Sequence, residues 1–148
     1  MEFITVEQFK EQPEEVQEVF LDWWKPSIGD LYHAKPPKCD NGFVTFYYLE
    51  KENYGDFIKA LDFITPLFTE GQLRKIVEDK GNCLLDIKVE NLCDEYNEYT
   101  VIGWEINKFD YRREFGRILF EDCIGAKDLL ELYWKMACSI AKEHISNN

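Results

Sequence analysis

The stretch Trp23-Trp24-Lys25-Pro26-Ser27-Ile28-Gly29-Asp30-Leu31-Tyr32-His33-Ala34-Lys35-Pro36-Pro37-Lys38 departs from the rest of the chain in composition. Residues 25 to 38 hold three lysines, Lys25, Lys35 and Lys38, against one acid, Asp30, inside a chain of net charge −12. Aromatic faces stack on bases and lysines neutralise phosphates, so the mixture suits a nucleotide-like ligand. Trp24, Lys25, Tyr32 and Lys35 are its candidate ligand-binding residues. On helical phase Trp23 continues the stripe of Val16, Val19 and Phe20, which makes Trp24 the better candidate for a binding surface. The competing reading has a tryptophan in the core, prolines stiffening a connection and lysines in solvent.

A second cationic point is Tyr111-Arg112-Arg113-Glu114-Phe115-Gly116-Arg117. Arg112, Arg113 and Arg117 could grip a phosphate or carboxylate through paired N–H donors, or stand solvated at a hairpin tip. Arg74, followed by Lys75, is a third candidate, equally placed to bridge to an acid such as Glu70 four residues earlier. Catalytic signatures are missing: the chain holds no phosphate-binding GxxxxGK loop, no GxGxxG, no HExxH, no GxSxG and no EF-hand loop. With 29 acids, any chosen pair of carboxylates is uninformative about acid–base chemistry. His33 and His144 lack ligand spacing to the thiols, so neither a metal nor another cofactor is expected, and the chain reads as a non-enzyme.

The elements that must position these residues follow from capping and periodicity. Thr5-Val6-Glu7-Gln8 has the form of a capping box and predicts a short helix to about Glu11. Pro13 suits the first turn of a second helix, whose Val16, Val19, Phe20 and Trp23 face inward and whose Glu14, Glu15, Glu18 and Asp22 face outward. Lys25-Pro26 ends it. Strands are predicted at Leu31–Ala34 and Phe43–Leu49, a turn at Asp40-Asn41-Gly42, and a short helix at Asp56–Ile64 that Pro66 stops. Thr69-Glu70-Gly71-Gln72 repeats the capping-box form, and Gly81 sits where a helix C-cap belongs. Cys83–Val89 and Tyr99–Ile106 alternate as strands, with Thr100, Ile102, Trp104 and Ile106 on one face. Arg117–Phe120 is a third strand, and a long apolar helical face runs from Ala126 to about Ile145. The order predicts an α+β fold: N-terminal helices, an antiparallel three- to four-stranded meander, and a long C-terminal helix.

A length of 148 residues fits a single globular domain, and 45% apolar with 31% charged residues excludes bulk disorder. No stretch reaches about 18 apolar residues, so no membrane span is expected. The acidic N-terminus, MEFITVEQFKEQPEE, lacks the form of a secretory signal. Five cysteines cannot all pair internally, which agrees with reduced thiols in a cytoplasm. The charge of −12 excludes general nucleic-acid binding.

Three segments, WWKPSIGDLY, ITPLFTEGQLRKIVEDKG and LLELYWKMACSIAKE, resemble a family of small proteins encoded by phages and prophages of Gram-positive bacteria. The resemblance spans nearly the whole chain in the same order and brings no established activity. It implies a viral accessory protein in the cytoplasm of a bacterial host, a class that often acts against host defence. The leading expectation is a sponge that sequesters a nucleotide-derived signalling molecule in an aromatic and cationic pocket. A pocket shared across a homo-oligomer interface would help it bind tightly. The alternative is an acidic inhibitor that docks on a basic host protein by imitating DNA. A structural or regulatory phage component is the third.

Overall fold

The computed structural model describes residues 2–34, 46–48, 64–92, 97–106 and 117–148, with 46–48 and 91–92 described as strand backbone alone. The expected turn at 40–42 and all of the expected helix at 56–64 except Ile64 lie outside these residues. The fold is α+β, and the chain divides into two compact units, essentially residues 3–69 and 70–148.

The first unit opens with α1 (Val6–Lys10) and α2 (Glu14–Trp23). The capping box at α1 is complete: the Gln8 amide N–H donates to Thr5 Oγ1 at 3.2 Å, and the Thr5 N–H donates to Gln8 Oε1 at 2.9 Å. Pro13 precedes α2 as its N-cap instead of occupying the first turn. Phe9, Phe20 and Phe68 form an aromatic cluster in this unit, with Phe20 and Phe68 ring centroids 5.5 Å apart; Ile4 and Val16 are also buried, and Leu67 packs with Val6 and Leu31. Strands β1 (Leu31–Ala34), β2 (Phe46–Tyr48) and β3 (Ile64–Pro66) make an antiparallel sheet in the order β2-β1-β3. Ile64 therefore opens a strand, and Pro66 is tolerated because β3 is an edge.

In the second unit α3 (Glu70–Gly81) leads into a meander of β4 (Cys83–Leu92), β5 (Asn97–Glu105) and β6 (Ile118–Ala126), closed by α4 (Leu129–Ser146). Gly81 is still helical; the left-handed residue is Asn82, at φ 48°, one of the few types that accept it at modest cost. Asp128 caps α4 by accepting from the Glu131 N–H at 2.9 Å, while Glu131 accepts from the Lys127 N–H at 2.7 Å. The helix side of the sheet is set by alternation: Cys83, Leu85, Tyr99 and Val101 are buried with Leu73 and Val77 of α3 and Leu132, Tyr133 and Ala137 of α4. Burial of Cys138 on α4 pushes its thiol up to about 12.

Candidate functional site

The Trp24 segment is built around a carboxylate. After α2 the chain leaves the helical region at Trp24, φ −73° and ψ 118°, two residues ahead of Pro26. Residues 27–30 then turn back, with Gly29 at φ 97° and the Asp30 N–H donating to the Ser27 carbonyl at 3.0 Å. The Asp30 carboxylate accepts from Trp24 Nε1 at 3.1 Å and from the Ser27 N–H at 2.9 Å. Trp24 is half-buried and packs with Ala34 against the pair of buried residues Tyr32 and Ile64. The structure thus brings Trp24 and Tyr32 together, and both serve packing; Trp23 is also half-buried, its ring edge-on to Phe20 at 5.7 Å. Lys25 is exposed, and Lys35 lies outside the described residues.

The arginines belong to the second unit. Arg74 Nε donates to Glu78 Oε1 at 3.2 Å and its guanidinium donates to the Leu85 carbonyl at 3.3 Å, so it ties α3 to β4. Its partner is Glu78, one turn later, in place of Glu70; Glu78 is itself held by the Leu85 N–H at 3.2 Å. The Tyr133 hydroxyl is the largest influence raising the Arg74 pKa, and burial raises that of Tyr133. Arg117 is exposed at the foot of β6, 3.9 Å from the Glu105 carboxylate. Arg112 and Arg113 lie outside the described residues. Among the described residues no cluster of three or more histidine, cysteine or acidic side chains could hold a metal ion. None of the described helices is long and apolar enough to cross a membrane.

The face of the meander turned away from α3 and α4 has an order that sequence alternation alone did not reveal. Direct cross-strand partners place Leu84, Trp104 and Ile118 in one row across the three strands. Leu84 is 54% and Ile118 44% exposed, and Leu119 at the neighbouring bulge is 39% exposed. The next row is Asp86, Ile102 and Glu121, with the isoleucine nearly covered between two exposed acids. Then come Lys88, Thr100 and Cys123. Beyond them, Glu90 accepts from the Thr100 hydroxyl at 3.0 Å and Glu98 accepts from the Cys123 thiol at 3.2 Å. That hydrogen bond is the first cause raising the Cys123 pKa. The signal available in sequence was that both faces of β5 are apolar while β4 is charged on one, so one apolar face of β5 had to meet a polar surround. No protein-family model, curated protein or solved structure matches the chain, and its functional reading rests on these surfaces.

Proposed function

We propose that the protein works by binding without catalysis, as an acidic inhibitor that occupies a basic surface of another protein. In the setting that the phage resemblance implies, the partner is a host defence protein in the bacterial cytoplasm. One observation carries the reading: within residues 2–24 all seven carboxylates are exposed, against the single cation Lys10. Such a surface raises the encounter rate with a cationic partner and repels polyanions. Several described cations of the second unit are already engaged by acids, Arg74 by Glu78, Lys75 by Asp79 and Lys135 by Glu131, which supports the same reading.

The test is capture of host proteins on the immobilised chain at low and high salt, repeated with Glu14→Gln, Glu15→Gln, Glu18→Gln and Asp22→Asn combined. Basic proteins released by salt and lost with the neutralised helix support the proposal, because exposed charges are screened beyond about 8–10 Å. Capture that ignores both salt and the variant removes it. A second reading, sequestration of a nucleotide-derived signal, is favoured by one observation: Trp24 packs against the cluster of Tyr32 and Ile64, and Lys25, next to it in the chain, is exposed. Its test is native mass spectrometry of protein from cells with nucleotide signalling switched on. A reproducible added mass, released on denaturation and lost in a folded Trp24→Ala, Lys25→Ala protein, supports it. A bare mass with the signal present counts against it.

A further inference from the structure

Among the described residues, the outward face of β4, β5 and β6 combines an apolar row with a carboxylate surround, while α3 and α4 are buried against the opposite side. We infer that this face is a docking surface for one extended, basic segment of a partner protein. The inference deepens the acidic-inhibitor reading and rests on it. Its apolar anchor is Leu84, Trp104 and Ile118; its charge selection comes from Asp86 and Glu121.

Charge chooses among occupants. Among the described residues of the three strands, Asp86, Glu90, Glu98 and Glu121 share the face with one lysine, Lys88. A second copy of the chain docked on the same face would set these carboxylates against their own kind, and a nucleic acid or anionic lipid would set phosphates against them. A basic segment meets the opposite sign. Size chooses its form. Three strands at about 4.8 Å spacing and about 3.4 Å rise per residue make a face of roughly 30 Å by 14 Å, or roughly 400 Å². A standard interface covers about 800 Å² on each partner, so the face suits a strand or loop more than a broad globular surface. Spacing supplies the pattern. Asp86 and Glu121 stand two strand spacings apart, about 10 Å, on either side of Ile102. Side chains two residues apart in an extended segment share a face, so cations at the first and fifth positions, over these two acids, leave the apolar side chain at the third to reach the Leu84–Trp104–Ile118 row.

The probe is a short capped peptide with serine at every second position and lysine and leucine taking turns between them, so that both lie on one face, added to the full chain while its amide nitrogen–proton spectrum is recorded at low salt. The controls are the lysine–serine peptide, with serine for each leucine, and the glutamate–leucine peptide, with glutamate for each lysine. The lysine–leucine peptide is expected to shift the amides of Leu84, Asp86, Ile102, Trp104, Ile118 and Glu121. Asp86→Asn with Glu121→Gln, and separately Leu84→Ser with Ile118→Ser, should each weaken it about tenfold. All four positions are exposed, so these variants keep the fold, checked by unchanged amide positions for buried Tyr99 and Val101. Shifts confined to α1 and α2 would overturn the sheet site and leave the acidic reading standing. Equal binding of the glutamate–leucine peptide would overturn the choice of a basic partner, and equal binding of the lysine–serine peptide would overturn the apolar anchor. Silence from both lysine peptides would overturn the site and the reading together.

Discussion

Gly103 sits on the helix side of β5, directly across from Phe120 in the register. A Cβ built on Gly103 would lie inside the van der Waals envelope of the Phe120 ring, and Gly103 does not have positive φ. The glycine is therefore required by the ring that covers it, with no demand from its own backbone. Gly103→Ala forces the ring off its position, an overpacking that costs about 1–3 kcal/mol. At about 3 °C per kcal/mol for a chain of this size, Tm should fall by roughly 3–9 °C. With Phe120→Ala already in place the clash is gone, and alanine in a strand is better than glycine by about 0.5–1 kcal/mol. The same substitution should then be neutral or stabilising. Urea unfolding of the two single variants and the double variant gives the coupling directly, and it should exceed about 1 kcal/mol. An equal loss from Gly103→Ala in both backgrounds would refute the assignment of this glycine to the aromatic ring.

Asp30→Ala removes the acceptor shared by Trp24 Nε1 and the Ser27 N–H; it should cost about 1–3 kcal/mol in urea unfolding and leave the Trp24 ring more accessible to quenchers. In a Cys39→Ser, Cys93→Ser background, an aromatic disulfide reagent should modify Cys123 in the folded protein and reach Cys83 and Cys138 only after denaturation. Glu98→Gln should speed the Cys123 reaction near neutral pH, because Glu98 holds that thiol protonated; an unchanged rate would remove the hydrogen bond from the account. Glu131 titrates below its ordinary value, through the Lys135 ion pair first and the Lys127 N–H second. The stability advantage of the native protein over Glu131→Gln should be whole above the ordinary glutamate pKa and should disappear as pH falls through that value and then through the lowered folded one. A difference that grows on acidification would contradict this sign.

Signals that act within a few residues were legible in the sequence. The Thr5–Gln8 capping box, the breaking of α2 at Lys25-Pro26 and the alternation of Cys83–Val89 all depend on neighbours along the chain. What escaped required a partner from elsewhere. Arg74 chose Glu78 over Glu70 because Glu78 is held in place by the Leu85 N–H, a contact that exists only once β4 lies against α3. Trp24 was out of phase with the apolar stripe and so read as a surface residue; the turn at 27–30 brings Asp30 under its indole and folds the ring inward. On β5 the alternation put Thr100, Ile102, Trp104 and Ile106 on one face without saying which side met the helices; Tyr99, Val101 and Gly103 take the helix side, where Phe120 fills the space that glycine leaves. Of the candidate ligand-binding residues, Lys35, Arg112 and Arg113 lie outside the described residues, and the five that are described, Trp24, Lys25, Tyr32, Arg74 and Arg117, divide between the two units.

The two faces of the meander separate two kinds of selection. Changes at Leu85, Val101 or Tyr99 are read by folding, while changes at Leu84, Asp86, Ile118 or Glu121 are read by whatever meets the outer face. Mutations of the second kind carry little stability cost, so the face can be rewritten one residue at a time while the chain stays folded. A partner that escapes by altering its own surface can be followed by single substitutions here. The one-residue bulges at 89–91 and beside Gly103 disfavour a slip of register, which would exchange the two records.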